Sequence, residues 1–479
     1  MTRSISLFYK QISDSFPFLP TASQDKALLK LSEFLCADSV DSAFVLKGFA
    51  GTGKTTLISA LVSNLVNLDL GYILLAPTGR AAKVISKYAS GKALTIHKKI
   101  YVPKKKPDGR IDFVKQKNKH TNTIFLVDES SMISDNSSSS INATTQSNSV
   151  LDDLFEYVYS GKNCRIIFIG DTAQLPPVKM DLSPALDENH LNTFYDKDVA
   201  SFELDAVTRQ HAESGILYNA TKLRKLIFLS DFEDFKFDID YPDVINLTDS
   251  YEIENTILSS YEASGKDETA IIVRSNKRAN LYNSQIRSKI LDHHDEVTVG
   301  DYVMAVKNNY FWMKDTSSID FIANGDTFRI LEIINRKKLY GFSFAEVRMS
   351  FVDYPEEPAF ESILLLDVLS SESPSISYED SNKLYQEVLK DYETIKPGYK
   401  RLLKVKNNPY FNAIQVKYSY AMTCHKSQGG QWKSVFVERP YLPEGQSVSY
   451  WRWLYTAVTR ATEKLYLLGF KSDDISESS

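Results

Sequence analysis

A short glycine-rich segment carries the residue types that bind phosphate. Residues 48–55 read GFAGTGKT and fit the pattern GxxxxGK[ST], directly after an apolar strand pattern and before a helical one. Glycines let the backbone approach phosphates closely, so that amide N–H groups and the start of the next helix face the anion. The lysine brings a positive charge to the outer phosphates, and the hydroxyl after it can bind Mg²⁺. The nucleotide-binding residues predicted from this loop are Gly48, Ala50, Gly51, Thr52, Gly53, Lys54, Thr55 and Thr56.

An acidic pair follows another apolar run, TIFLVDES. At the end of a neighbouring strand, Asp128 would bind the metal ion together with Thr55, and Glu129 would orient and polarise the attacking water. Taken alone, a DE pair at a strand end is more often a helix cap or a surface pair, and a glycine-rich turn need not bind a nucleotide. Together, Lys54, Asp128 and Glu129 predict a Mg²⁺-dependent NTPase.

The elements that must position these residues are apolar, β-branched runs that alternate with helical patterns through residues 20–210. In the helix after Lys54, apolar residues recur at intervals of three and four, which marks one buried face (Leu57, Ile58, Leu61, Val62 and Leu65). Strands that are apolar throughout and separated by helices indicate a parallel sheet covered on both sides. A second set of such runs lies in residues 269–291 and 420–470, which predicts a second α/β unit.

Three segments interrupt this alternation. Residues 298–406 alternate apolar and polar side chains at period two and contain the turn signal NGD, which predicts an inserted antiparallel β module. Residues 98–119 carry nine lysines and arginines against two aspartates, and PDG at 107–109 suggests a hairpin. A solvated charged loop is the alternative reading of that run. The Ser/Asn-rich residues 134–149 predict a mobile surface loop.

Composition excludes several classes of protein. With 479 residues, 43% of them hydrophobic, the chain is expected to form two to four globular domains. No apolar run is long enough for a membrane helix, and no secretory signal is expected at the N-terminus. Three dispersed cysteines speak against a disulfide framework or a zinc site and favour a cytoplasmic location. The net charge of −5 excludes a chain-wide cationic coat but not a local nucleic-acid channel.

Seven segments in chain order resemble the ordered motifs of superfamily 1 DNA helicases, in particular the RecD-like and Dda-like 5′-to-3′ branch. They are APTGRAAKVIS (76–86), TIH (95–97), VDESSM (127–132), GDTAQLPPV (170–178), ELDAVTRQ (203–210), YAMTCHKSQGGQW (420–432) and LYTAVTRA (454–461). The resemblance implies an α/β fold of two RecA-like P-loop domains with parallel sheets, a small inserted β-hairpin subdomain and an SH3-like β module.

The resemblance also implies domain boundaries. RecA-like domain 1A would comprise residues 1–96 and 121–212, with a basic pin subdomain 1B at 97–120. RecA-like domain 2A would comprise residues 213–297 and 407–479, with the SH3-like module 2B and a projecting arm at 298–406.

Roles at the nucleotide follow from the same resemblance. Gln24 would pair with the adenine edge, which makes ATP the expected fuel, and Gln174 would lie near the γ-phosphate. Arg209 and Arg460 would reach that phosphate from opposite sides of the cleft and stabilise charge on the transferring phosphoryl group. The expected catalytic residues are thus Lys54, Asp128, Glu129, Gln174, Arg209 and Arg460.

The implied track is single-stranded DNA. Hydroxyl, imidazole and cationic side chains suit phosphate contacts, which hold a strand without reading its sequence. The DNA-binding residues implied by the motifs are Thr78, Arg80, Thr95 and His97 on the first domain and Thr423, His425 and Lys426 on the second. Packed histidines are the alternative for His97 and His425.

The predicted protein is an ATP- and Mg²⁺-dependent DNA helicase or translocase, with 5′-to-3′ polarity, that acts on single strands and duplex forks in replication, recombination or repair. No membrane partner is expected, replication or recombination proteins are possible partners, and oligomerisation is not required. The alternatives are a motor that translocates without unwinding duplexes and a nucleotide-switched binding module in a larger recombination complex. RNA is a less favoured track.

Overall fold

The computed structural model of the chain describes residues 4–89, 91–105, 111–135, 149–206, 213–229, 235–313, 319, 321–442 and 445–476. The strands in these segments are β1 Ser42–Gly48, β2 Gly71–Ala76, β3 Ala93–Thr95, β4 Tyr101–Lys105, β5 Ile111–Lys115, β6 Thr121–Val127, β7 Lys162–Gly170, β8 Asp198–Leu204, β9 Val244–Leu247, β10 Thr269–Val273, β11 Tyr302–Ala305, β12 Thr327–Leu339, β13 Phe342–Phe351, β14 Phe360–Leu365, β15 Ile414–Tyr418, β16 Ala421–Thr423, β17 Trp432–Glu438 and β18 Ala461–Leu468.

The helices are α1 Ile5–Asp14, α2 Ala22–Cys36, α3 Lys54–Asn64, α4 Gly79–Tyr88, α5 Ile96–Ile100, α6 Val150–Tyr159, α7 Glu188–Tyr195, α8 Gly215–Leu229, α9 Ser250–Ser264, α10 Asn276–Gln285, α11 Tyr378–Lys390, α12 Gly398–Lys406, α13 Cys424–Ser427 and α14 Val448–Val458.

The first sheet has six parallel strands in the order β3-β2-β6-β7-β1-β8. Helices α1 to α4 pack on one face of it and α6 and α7 on the other, so its strands are buried on both sides. The predicted apolar face of α3 lies in this core, where Leu57, Ile58, Leu61, Val62 and Leu65 are all buried. The sheet predicted from these runs is therefore confirmed, and its carboxyl edge carries the ends of β1, β6 and β7 side by side.

The second sheet repeats this design with five parallel strands in the order β16-β10-β17-β18-β9. Helices α8 and α14 lie in the core on one face, and α9 and α10 lie in the core on the other. Two layered parallel sheets of this kind give the α/β class and the two RecA-like units that the sequence predicted.

Between β10 and β16 the chain builds a closed barrel of five strands, β11 to β15. Its pairs are antiparallel except that β14 and β15 run parallel, and its interior is apolar (Val303, Phe328, Val347, Leu364 and Ile414). Helices α11 and α12 pack on the outside of the barrel, because Leu384, Val388 and Val405 share a core with Phe342 and Phe344. The segment expected as a projecting arm is thus anchored to the barrel.

The basic run contains the expected hairpin. Strands β4 and β5 pair antiparallel, with Tyr101 opposite Lys115 and Lys105 opposite Ile111. The turn at residues 106–110 and the Ser-rich stretch 136–148 lie outside the described residues. Within the described segments, no helix combines the length and the apolar character that a membrane crossing needs.

Candidate functional site

The P-loop joins β1 to α3 at the carboxyl edge of the first sheet. Gly51 and Gly53 have positive φ angles of 74° and 85°, a region that glycine enters without steric cost. The Lys54 ammonium donates to the carbonyls of Gly48 at 2.5 Å and Phe49 at 2.9 Å, and the buried Thr52 hydroxyl also donates to Phe49, at 2.8 Å. The loop is therefore closed upon itself by the Lys54 ammonium and the Thr52 hydroxyl.

Gln24 lies against this loop at the start of α2. Its Oε1 accepts from the Thr21 N–H at 2.9 Å in a capping box, and its Nε2 donates to the Thr52 carbonyl at 3.0 Å. The side chain is 3% exposed. Both ends of the amide are therefore engaged, one with the cap of α2 and the other with the P-loop. The predicted contact with adenine stays a prediction.

The acidic pair lies at the end of β6. In the sheet, β7 lies between β6 and the P-loop strand β1. Asp128 accepts from the Tyr88 hydroxyl and, at 2.8 Å, from the Glu129 N–H, and Glu129 has a left-handed φ of 51°. Burial raises the pKa of Asp128 above its ordinary value, although Tyr88 and Lys54 oppose that shift. Burial also raises the pKa of Glu129, while the charge of Arg460 lowers it. A carboxylate with a raised pKa is suited to accept a proton near neutral pH.

Arg460 reaches this pair from the second sheet. It follows α14, is 3% exposed, and its Nη1 lies 3.7 Å from Glu129 Oε1. Its guanidinium is held by the carbonyls of Thr456 at 3.1 Å and Gly430 at 3.3 Å. Because a buried arginine is costly unless it is paired, this contact fixes the seam between the two sheets at the acidic pair.

The loop after β7 carries Gln174. Its side chain is buried, and its Oε1 has no hydrogen-bond partner. Residues of α14 hold the backbone around it: Thr456 Oγ1 accepts from the Leu175 N–H at 2.8 Å, and Arg452 donates to the carbonyls of Thr172 and Gln174. The buried, unpartnered Oε1 of Gln174 is the kind of group that a ligand in the seam would satisfy.

Four side chains of this seam were absent from the predicted site, namely Tyr88, Asp171, Arg452 and Tyr455. Tyr455 OH accepts from the Ala50 N–H at 2.9 Å and donates to Asp171 Oδ2 at 2.7 Å. All four flank or lie within segments that the motifs mark, but only three-dimensional contact shows that Tyr455 touches the P-loop, Tyr88 touches Asp128 and Arg452 touches the Gln174 loop. Arg209 lies outside the described residues, so its predicted role stays a prediction.

The predicted DNA residues of the first domain lie at the starts of α4 and α5. Thr78 caps α4, accepting from the Ala81 N–H at 3.2 Å, and the buried Thr95 caps α5, accepting from the Lys98 N–H at 3.1 Å. Arg80 stacks on Trp432 of the second sheet at 4.2 Å and donates to the Asp267 carbonyl at 3.0 Å.

His97 follows at the first turn of α5, half-buried and 5.6 Å from the Tyr101 ring. Burial lowers the pKa of His97 below its ordinary value, which keeps the imidazole neutral at pH 7.

On the second domain, Thr423 precedes the short helix α13, His425 is exposed and Lys426 is half-buried. The loop just after them touches the first domain: a Cβ added at Gly429 would lie 2.6 Å from Ala81 Cβ and 3.2 Å from Thr78 Oγ1. The structure therefore brings the loop after α13 into contact with the start of α4, although Gly429 and Thr78 are about 350 positions apart in the chain.

A buried polar interface joins the first domain to the barrel. Lys98 Nζ lies 3.5 Å from Asp326 Oδ2 and 4.7 Å from the Tyr354 ring, and Arg80 lies 3.8 Å from Asp353. Burial raises the pKa of Asp326 to about 6, with Asp353 adding to the shift and Lys98 opposing it. One oxygen of Asp326 and both of Asp353 lack hydrogen-bond partners. Lys98 belongs to the basic run for which a pin subdomain or a solvated charged loop was predicted, but it is 7% exposed and serves this interface.

The base of the basic hairpin is also tied down. Lys115 pairs with Asp153 at 2.9 Å and with Glu156, and the Tyr101 hydroxyl donates to Asp153 at 2.6 Å. These contacts with α6 fix the hairpin's orientation, so Tyr101 and Lys115 are structural here rather than free to touch DNA.

A P-loop on one parallel sheet, faced by a buried arginine from a second, defines the protein as a two-domain P-loop NTPase. Residues 34–180 match the AAA domain family, and residues 418–468 match the UvrD-like helicase C-terminal domain family.

The chain is 25% identical to the ATP-dependent DNA helicase Dda of Enterobacteria phage T4, over 87% of this chain and 92% of that one. It is 24% identical to a protein of Acanthamoeba polyphaga mimivirus, over 91% of this chain and 97% of that one. A crystal structure of Bacteroides Pif1 helicase with ADP-AlF3 and single-stranded DNA aligns with 96% of this chain and 95% of its own, at 16% identity and a TM-score of 0.46. In its two matched domains and in the order of its motifs, the chain is similar to superfamily 1 helicases such as Dda.

Proposed function

We infer that this protein is an ATP-dependent DNA helicase in which ATP binds in the seam between the two RecA-like units. The observation that carries this inference is the position of Arg460, which comes from the second unit and lies 3.7 Å from Glu129 beside the P-loop. An arginine so placed can stabilise a transferring phosphoryl group only when the two units are together. Hydrolysis and the relative position of the units are therefore coupled.

The geometry of the first sheet supports the proposed hydrolytic roles. P-loop amides and Lys54 hold the phosphates, and Glu129 orients the attacking water and takes up its proton. Mg²⁺, when bound, supplies positive charge between the outer phosphates, and Thr55 and Asp128 are the residues that would hold it. The donor set fits, because nucleotide-bound Mg²⁺ takes one or two protein oxygens and completes its shell with phosphate and water.

The nucleotide contacts proposed for Gln24, Gln174 and Arg209 complete the site. Gln24 would favour adenine, and Gln174 would sense the γ-phosphate through its free Oε1. Arg209 would approach from the side opposite Arg460.

We propose that single-stranded DNA crosses the seam where the loop at Gly429 meets Thr78. The contacts would come from Thr78, Arg80, Thr95, His97, Thr423, His425 and Lys426. Since some belong to the first unit and some to the second, opening and closing of the seam would shift the grip from one unit to the other. Polarity is proposed as 5′-to-3′, and the cellular role as replication, recombination or repair, from the family.

We also propose the boundaries 1–96 with 121–212, 97–120, 213–297 with 407–479, and 298–406 for domains 1A, 1B, 2A and 2B. Each of the two parallel sheets falls within one of these units, which supports the division between 1A and 2A. Four of the five barrel strands fall within 298–406, whereas β15, Ile414–Tyr418, lies in the range proposed for 2A.

The test is a strand-displacement assay with ATP and Mg²⁺ on duplexes that carry either a 5′ or a 3′ single-stranded tail. We expect unwinding of the 5′-tailed duplex and ATP hydrolysis that rises with single-stranded DNA. Lys54→Ala serves as the inactive control. Equal ATP turnover with and without DNA would contradict the assignment as a DNA motor, and unwinding of only the 3′-tailed duplex would overturn the polarity.

A further inference from the structure

We propose that Tyr455 is a positioning residue. Its hydroxyl couples the position of the second RecA-like unit to the P-loop and to the loop that carries Gln174. This inference rests on the proposed function, because it assigns a role in coupling hydrolysis to closure of the seam. Tyr455 belongs to α14, on the second unit, and its ring is 1% exposed.

The hydroxyl of Tyr455 joins two parts of the first unit. It accepts from the Ala50 N–H of the P-loop at 2.9 Å and donates to Asp171 Oδ2 at 2.7 Å. A phenol has one proton to donate, so the carboxylate takes it and the amide must be the donor on the other side. Burial, and next the charge of Asp171, raise the pKa of Tyr455 well above its ordinary value. The direction of both bonds is therefore fixed at any working pH.

Asp171 also forms hydrogen bonds with the turn that carries Gln174. Its other oxygen accepts from the Ala173 N–H at 2.9 Å, and its carbonyl accepts from the Gln174 N–H at 3.3 Å. The carboxylate is 1% exposed. Its orientation consequently sets that of the turn that presents the Gln174 side chain.

The other hydrogen bonds that α14 makes across the seam involve only one loop of the first unit. Thr456 and Arg452 bind the backbone of residues 172–175. Tyr455 contacts both Asp171, directly before that stretch, and the P-loop. Five positions further on, the same polypeptide carries Arg460 to Glu129. A displacement of α14 therefore moves the arginine, the Ala50 amide and the Gln174 loop together, which is what a hydrolysis site responsive to domain position requires.

The test is Tyr455→Phe, which keeps the ring in its core and removes both hydrogen bonds. We expect kcat for ATP with saturating single-stranded DNA to fall roughly ten- to hundredfold, since two buried polar groups lose a partner. We also expect the ratio of DNA-stimulated to basal turnover to fall, while the KM for ATP changes little. Tyr159→Phe is the matched control, because its hydroxyl donates to the Ser42 carbonyl at 2.8 Å, within the first unit.

A second variant keeps the test decisive should Tyr455→Phe fold poorly. Asp171→Asn weakens the same pair from the first unit, so it should produce the same fall in stimulation ratio, and the double variant should lose little more than either single one. A folded Tyr455→Phe protein with the kcat and stimulation ratio of the wild type would overturn the inference. A change confined to melting temperature, or a loss seen only in KM, would overturn it as well. If instead the wild type shows no stimulation by DNA, the proposed DNA function fails, and the kcat of the variants still tests the role of Tyr455 in hydrolysis.

Discussion

Removal of the charge at Arg460 should change the pH dependence of hydrolysis as well as its rate. Glu129 is partly buried beside Asp128. Burial and the charge of Asp128 raise the pKa of Glu129, and Arg460 is the largest influence in the opposite direction. In Arg460→Gln the carboxylate loses that cation and stays next to its acidic neighbour. Its pKa must then rise, and because the general base has to be ionised, the acid limb of the kcat profile must move to higher pH.

The size of the effect follows from the separation of the two groups. Two unit charges 3.7 Å apart interact by about 4 kcal/mol at an effective dielectric constant of about 20. The Glu129 side chain is 21% exposed, so part of this attraction is screened. We therefore expect the acid limb to move up by about one to two pH units. Loss of the guanidinium at the phosphoryl group should in addition lower kcat about a thousandfold.

The assay is steady-state ATP hydrolysis from pH 5 to 9 with saturating single-stranded DNA. Arg460→Lys keeps the charge but not the planar fork, so its kcat should stay low while its acid limb moves less than that of Arg460→Gln. Arg439→Gln, which removes an arginine paired with Asp474 at the surface, is the control. An acid limb that stays at the wild-type pH in Arg460→Gln would refute the electrostatic argument, even if the rate fell.

Two further outcomes follow from the structure. Lys54→Ala should abolish ATP turnover while the circular dichroism spectrum and melting temperature stay close to wild type, and undiminished phosphate release would refute the P-loop assignment. Asp326→Asn should flatten the pH dependence of the free energy of unfolding. The pKa of Asp326 is raised from 3.8 to about 6 in the folded protein, so between these values the folded state binds more protons than the unfolded state. Stability therefore falls as pH rises through that window, by up to about 3 kcal/mol. Melting temperatures of the two proteins between pH 4 and 7 measure this, and a variant as pH-dependent as the wild type would contradict it.

The sequence predicted the sheets because each strand carries its own evidence. The central runs of β1, β6 and β7 (AFVL, IFLV and IIFI) are apolar throughout, and only strands buried on both faces tolerate that composition. The P-loop could be recognised for the same local reason, since the requirement for glycine at 51 and 53 arises from their positive φ angles.

Contacts across the seam could not be predicted in this way. Tyr455 and Ala50 are 405 positions apart, and a tyrosine in an apolar helix is equally well explained as core. The environment of Lys98 is a similar case, since its burial against Asp326 depends on how the barrel docks on the first unit. In each case the two partners come from distant parts of the chain: the Tyr455 hydroxyl meets the Ala50 amide, and the Asp326 carboxylate meets Lys98.

Local sequence thus determined the chemistry of this protein: which loop binds phosphate, which carboxylates follow the strands, and which segments alternate as strands and helices. Those properties depend on neighbouring residues and on steric rules that act over a few positions. The tertiary structure alone decided which side chains share the seam, that Arg460 lies beside Glu129, and that Arg80 stacks on Trp432. These pairings depend on the relative placement of two sheets and a barrel, which the packing of the whole chain fixes and no single segment encodes.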